Sequence, residues 1–263
     1  MTHPLTSRLL ASSGFSHGFF TRQGGCSPAP FDSLNVAASV GDDPANVRTN
    51  VGRAAQALGV SFSRLYYLSQ VHGVAAVPLT GDEVPDEVVL LRGDITLSKA
   101  AGVACAVRSA DCGTLLIGDR VSGAVCAIHS GWRGTVQGAA GAGVRALREL
   151  IGDDGDLVVA VGPLIEACCF EVGDDVAALL SACSSLGERA IDRSRTHRSG
   201  PEVKPHVDLR AIIEAQLDAV GIHVGSIDQV RGCTVCDRER FFSFRRDGKA
   251  SGRLLSAIVV RGA

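Results

Sequence analysis

Apolar positions in this chain come in short runs broken by glycine and polar turns, and the period of each run predicts an element. Residues 15–22 read as a strand leading into a turn at Gly24-Gly25. Asp43-Pro44 opens a helix: Asp43 can cap free amides and Pro44 suits the first helical position. That helix runs to about Leu58 and stops at Gly59. Residues 65–70 and 74–78 read as strands around His72-Gly73, and residues 81–93 as an acidic, irregular surface loop. Strands follow at 103–107, 115–117 and 124–128, the last delivering His129 at its C-terminal end. Val136, Ala140, Val144, Leu147 and Ile151 recur at helical spacing. Residues 157–161 read as a strand ended by Gly162-Pro163, 174–184 as a helix and 201–205 as a turn-rich loop. Asp208 caps a further helix that Gly221 stops, and residues 224–230, 241–244 and 254–260 read as closing strands. Strands outnumber helices without a regular βαβ alternation. The expected fold is α+β, a single domain over residues 1–263 with a mixed β-sheet core and flanking helices.

Composition narrows the function classes. A chain of 263 residues with 46% hydrophobic content can build one large core, and no low-complexity linker divides it. A net charge of −2 does not suit a nucleic-acid binder, whereas arginines near the Gly-rich segments suit a small anion. No apolar run is as long as a membrane span, and residues 1–14 lack the pattern of a signal peptide. The chain therefore reads as cytoplasmic, with its nine cysteines reduced rather than paired. Nothing in the pattern sets an oligomeric state.

Three Gly-rich segments carry candidate chemistry: Gln70-Val71-His72-Gly73, Ala110-Asp111-Cys112-Gly113 and His129-Ser130-Gly131-Trp132-Arg133-Gly134. Imidazole and thiolate are zinc ligands, and three protein ligands leave the open position of a catalytic site. Residue separations of 40 and 17 are too long for a zinc finger, so the tertiary fold has to assemble the site. Taken singly, His72 also reads as a structural histidine and Cys112 as a small buried hydrophobe. Residues 131–135 follow a strand and open a helix whose free amides attract anions, and Arg133 adds a forked donor. The alternative there is a Trp132 packing anchor beside an exposed arginine. Arg22 and Asn35, in Phe20-Thr21-Arg22-Gln23-Gly24-Gly25 and Ser33-Leu34-Asn35, are candidates for a phosphate or sugar hydroxyl. Arg245, in Phe242-Ser243-Phe244-Arg245-Arg246-Asp247, is another anion candidate, or else the charged end of an apolar strand. Cys233-Thr234-Val235-Cys236 is a lone CxxC that Cys168-Cys169 can approach, too weak a signal for a second metal.

These segments, with Val40-Gly41-Asp42-Asp43 and Gly162-Pro163, make the chain resemble the polyphenol oxidase or laccase-domain family. Its members are also described as zinc-dependent purine nucleoside phosphorylases. The resemblance runs from about Phe15 to Val260 and places His72, Cys112 and His129 at the family's metal-ligand positions. It implies phosphorolysis of adenosine, inosine, guanosine and 5′-methylthioadenosine, with adenosine deamination as a second reaction. Nucleoside and phosphate would be the partners, and Zn2+ the cofactor, with Cu2+ the alternative. The chain departs from the family pattern at Asp94-Ile95-Thr96-Leu97-Ser98, where a small residue usually follows the aspartate, and at Thr114, commonly a proline. Two other readings stay open. One is a copper-dependent phenol oxidase, disfavoured by only seven histidines and no dense His-x-His pairs. The other is a wall-precursor editing hydrolase with Cys112 as nucleophile and His129 or His72 as its base.

Overall fold

A computed structural model describes residues 2–194 and 203–262. In chain order the elements are α1 (Arg8–Ser12), β1 (His17–Phe19), α2 (Pro44–Leu58), β2 (Leu65–Tyr66), β3 (Ala76–Leu79) and α3 (Pro85–Val88). Then come β4 (Ile95–Ser98), β5 (Ala104–Ser109), β6 (Gly113–Asp119), β7 (Val125–Ser130), α4 (Trp132–Val136), α5 (Ala139–Ile151) and β8 (Leu157–Val161). The remainder are α6 (Asp174–Ala182), β9 (Ile191–Asp192), β10 (His206–Val207), α7 (Leu209–Asp218), β11 (Ile227–Gln229), α8 (Phe244–Asp247) and β12 (Leu254–Val259).

Two sheets stack between two helical layers. One sheet runs β1-β12-β5-β2 and the other β11-β8-β6-β7-β4-β3, while β9 and β10 form a separate pair. Both sheets are mixed: β2 with β5, β3 with β4 and β11 with β8 are parallel, and the other pairs within the two sheets antiparallel. Side-chain alternation assigns each face. On β5, Cys105 and Val107 point between the sheets, where they join Leu116, Val125, Ala127 and Ala160. Ala104 and Ala106 point the other way, under Val47, Val51 and Ala54 of α2. On β6, Leu115 and Ile117 face Val144, Leu147, Ile212 and Ile213 of α5 and α7. Strands covered on both faces read as near-continuous apolar runs, which is why their sequences show little alternation.

Local signals set α2 as expected: Asp43 accepts from the Ala45 amide at 2.8 Å, and Gly59 ends the helix at φ 78°. Elsewhere the structure corrects the reading. The single helix expected around residues 136–151 is two, because Gly138 turns left-handed at φ 79° between α4 and α5. Residues 81–93 contain α3. Residues 241–244 are not a strand: Phe241 and Phe242 are buried in irregular chain, and the Ser243 hydroxyl caps α8 by accepting from the Arg246 amide. Of the loop expected at 201–205, residues 201 and 202 lie outside the described residues. Among the described residues no helix is long and apolar enough to cross a membrane.

Candidate functional site

Strand register gathers the site. In the β6–β7 pair Gly113 faces Ser130 and Thr114 faces His129, while β4 sets Ile95 opposite Ile128 of β7. Cys112 and Asp94 sit just before those strands, so both flank His129. His72 arrives on the β2–β3 connection with φ 62°, and Asp111 holds φ 93° before Cys112. Left-handed backbone at residues other than glycine is strained and persists only where neighbours enforce it. The ligand atoms of His72, Cys112 and His129 all lie within 4.8 Å of one another. The two imidazoles meet edge-on, with centroids 5.0 Å apart.

One carboxylate holds two of these ligands. Asp94 is fully buried and accepts from the amides of Val71 (3.1 Å), His72 (3.0 Å) and Gly73 (2.8 Å), which fixes the strained turn. It also bonds Nδ1 of His129 at 2.8 Å, leaving Nε2 to face Cys112 and His72. A carboxylate behind a histidine ligand sets its tautomer and raises its basicity. Gln70 explains its place in the motif by exchanging two 2.7 Å bonds with the backbone of Arg108, which clamps the loop to β5.

Electrostatics suit a cation at this point. Burial opposes charge on Cys112, but His129 beside it, and then His72, bring the thiol down to about 6. Burial also opposes charge on His129, yet Cys112 and Asp94 raise its imidazole to about 9. Without metal the pair is a thiolate against an imidazolium. Two imidazoles and a thiolate, with no fourth protein donor grouped with them among the described residues, form the donor set of an open metal site.

The three residues sit in the wall of a cavity of about 670 Å³. Trp132, Ile165, Phe170 and Phe244 supply apolar wall, and Arg108, Arg133, Arg245 and Arg253 supply cations. Arg108 and Arg253 are half-buried, and burial works against their charge, lowering both. Arg108 lies over the Tyr67 ring and donates to the Leu68 carbonyl at 3.1 Å, while Arg253 donates to the carbonyls of Ser251 and Gly252. Among the described residues neither guanidinium pairs with a carboxylate. The Cys112 thiolate and Asp111 act on Arg253 electrostatically, and partly desolvated guanidinium groups without a direct ion pair suit an anion.

Of the four anion candidates from the sequence, two line this cavity. Arg133 is exposed over the Trp132 ring at 4.3 Å, and Arg245 donates to the carbonyls of Cys169 (3.2 Å) and Glu171 (2.8 Å). Arg22 and Asn35 do not line this cavity. Arg22 pairs with Asp32 at 3.0 Å and covers the Phe242 ring. Asn35 is fully buried, and its Oδ1 accepts from the amides of Ala37 and Arg253. It therefore holds the backbone of Arg253. Asp94, Arg108 and Arg253 escaped the sequence reading. The one local hint was a carboxylate set immediately before a fully buried strand.

A family profile described as multi-copper polyphenol oxidoreductase laccase matches residues 16–261. The chain is 36% identical over 249 residues to a purine nucleoside phosphorylase of Streptomyces coelicolor, covering 93% of this chain and 95% of that one. It is 37% identical over 245 residues to a purine nucleoside phosphorylase of Pseudomonas aeruginosa, covering 92% and 91%. The solved structure of YlmD from Geobacillus stearothermophilus superposes with a TM-score of 0.83 at 31% identity, covering 97% of this chain and 94% of that one.

Proposed function

The chain belongs to the family described as multi-copper polyphenol oxidoreductase laccase, and on that premise we propose that it is a zinc-dependent purine nucleoside phosphorylase. Its substrates are adenosine, inosine, guanosine and 5′-methylthioadenosine, and it deaminates adenosine as a second reaction. The relatives' names support the reaction class. The observation that carries the reading is a three-ligand metal donor set sharing one cavity with two half-buried guanidinium groups that make no carboxylate ion pair among the described residues.

Phosphorolysis joins a phosphate oxygen to C1′ of the ribose as the bond from C1′ to the purine breaks. Arg108 and Arg253 hold the phosphate, and their fixed, partly dry position strengthens that contact over one in water. Trp132 and Phe170 enclose the base. Asp94 keeps Nδ1–H of His129 pointed away from the reacting groups and leaves Nε2 free to ligate. Bound zinc supplies a Lewis acid and a water whose pKa falls to roughly 7, which suits attack at the purine C6. A multicopper cluster needs a denser histidine set: neither metal-capable group among the described residues has more than two histidines.

The test is chromatography of adenosine incubated with metal-replete protein, with and without phosphate. Phosphate-dependent adenine and phosphate-independent inosine are expected, both lost in Cys112→Ala. Neither product above that control sinks the proposal. The lowered Cys112 thiol beside His129 favours one second reading, a cysteine hydrolase acting on wall precursors. It predicts a covalent adduct on Cys112 and turnover in metal-free protein. The phosphorylase reading predicts neither.

A further inference from the structure

We infer that Cys168, Cys169, Cys233 and Cys236 form a second metal site, a closed four-thiolate zinc that ties together two loops of the cavity wall. All four sulfurs lie within 4.8 Å of one another. The separations are 3.3 Å for Cys169–Cys236 and 3.7 Å for both Cys168–Cys169 and Cys168–Cys236. Sulfurs bound to zinc at about 2.3 Å in a tetrahedron stand roughly 3.8 Å apart, a spacing close to these separations. A disulfide needs sulfurs about 2.0 Å apart, and all four cysteines are free.

The backbone prepares the site in two places. β8 and β11 pair in parallel and deliver their following loops to one end of the sheet. There Leu164 bridges to Cys233, with the Leu164 amide donating to Gly232 and the Thr234 amide donating back to Leu164. The Asp237 amide also donates to the Cys233 carbonyl at 3.0 Å, closing the turn that holds Cys233 and Cys236 together. Cys168 and Cys236 are exposed, which gives an ion a way in.

With four protein ligands and no open position, the site is structural. Its loops carry Ile165 and Phe170 into the cavity, and Arg245 bonds the carbonyl of Cys169. Arg246 donates to the carbonyls of Thr234 and Val235, and the Thr234 hydroxyl donates to Asp111 at 2.6 Å, next to Cys112. The thiolate cluster thus braces the turn that presents the other thiolate.

The experiment counts zinc per chain by elemental analysis after expression with zinc and purification in reductant. Wild type is expected to hold about two, and His72→Ala/Cys112→Ala and Cys233→Ser/Cys236→Ser about one each. Cobalt reloaded into His72→Ala/Cys112→Ala should give an intense thiolate-to-metal absorption. One zinc in wild type, lost entirely with His72 and Cys112, overturns the proposal. A Cys169–Cys236 disulfide in the reduced preparation does the same. If the Cys233→Ser/Cys236→Ser protein does not fold, alkylation of wild type decides the matter. Cys168 and Cys236 should resist iodoacetamide until a chelator is added, and equal rates with and without chelator refute the site.

Discussion

At the scale of single residues, the site depends on two positions that are not ligands. Asp94 serves three amides and one imidazole at once, and no asparagine can accept all four bonds. Asp94→Asn is expected to weaken zinc binding 10- to 100-fold, in line with the loss of other carboxylates behind histidine ligands. Competition with a chromophoric chelator measures this, and an unchanged affinity would show the carboxylate to be dispensable. Gly131 is the second position. A Cβ there would stand 2.8 Å from the Cys112 sulfur and 3.0 Å from Cδ2 of His72, although its φ of −71° suits any residue. Gly131→Ala should fold, by circular dichroism, yet lose the metal. His72, Cys112 and His129, which the fold brings together, stood out in the sequence because their types and Gly-rich settings are local. The role of Asp94 did not, because it comes from a strand register, and the carboxylate before a buried strand gives only a faint local hint of it. Arg108 and Arg253 were hidden for a related reason: each borders an apolar strand and reads as its charged end.

At the scale of elements, close packing needs small residues where α5 crosses β7. A Cβ on Gly143 would lie 2.2 Å from Cδ1 of Ile128, inside a fully buried layer. Gly143→Val is expected to cost at least the roughly 1–3 kcal/mol typical of overpacking, read from urea midpoints. A midpoint within error of wild type would mean the interface yields. The junction of α1 and β1 gives a pH dependence. Nε2 of His17 accepts from the Ser7 amide at 2.8 Å, and Nδ1 must donate to the Phe15 carbonyl at 2.9 Å, so the ring is neutral. Burial lowers its pKa from 6.5, against the pull of Asp228. Above about pH 6.5 folded and unfolded chains both hold this ring neutral, and it contributes no slope. As pH falls below that value the unfolded chain takes up a proton that the folded one refuses, so stability drops. Between pH 6.5 and 5, His17→Gln should show a shallower loss of stability than wild type. An equal slope rejects the assignment. Element signals were clearest where capping is local, as for α2, and failed at residues 241–244, where buried aromatics imitate a strand.

For the molecule as a whole, the ligands join segments far apart in the chain: the β2–β3 connection, the start of β6 and the end of β7. Metal bound only by the folded state adds about 2.7 kcal/mol at a free concentration of 100 times Kd. Chelation is therefore expected to lower Tm by several degrees, with a smaller fall in Cys112→Ala. Calorimetry that finds no shift in wild type would mean that metal and fold are uncoupled. The overall class was readable from the run of apolar segments, but the pairing order of the two sheets was not. The four-stranded sheet illustrates why. Its latest strand in the chain, β12, lies between β1, the earliest, and β5. During synthesis a slot must stay open beside β1 while some two hundred further residues emerge. Arg253 travels with that strand, so the cavity wall gains this cation only once the closing segment has left the ribosome.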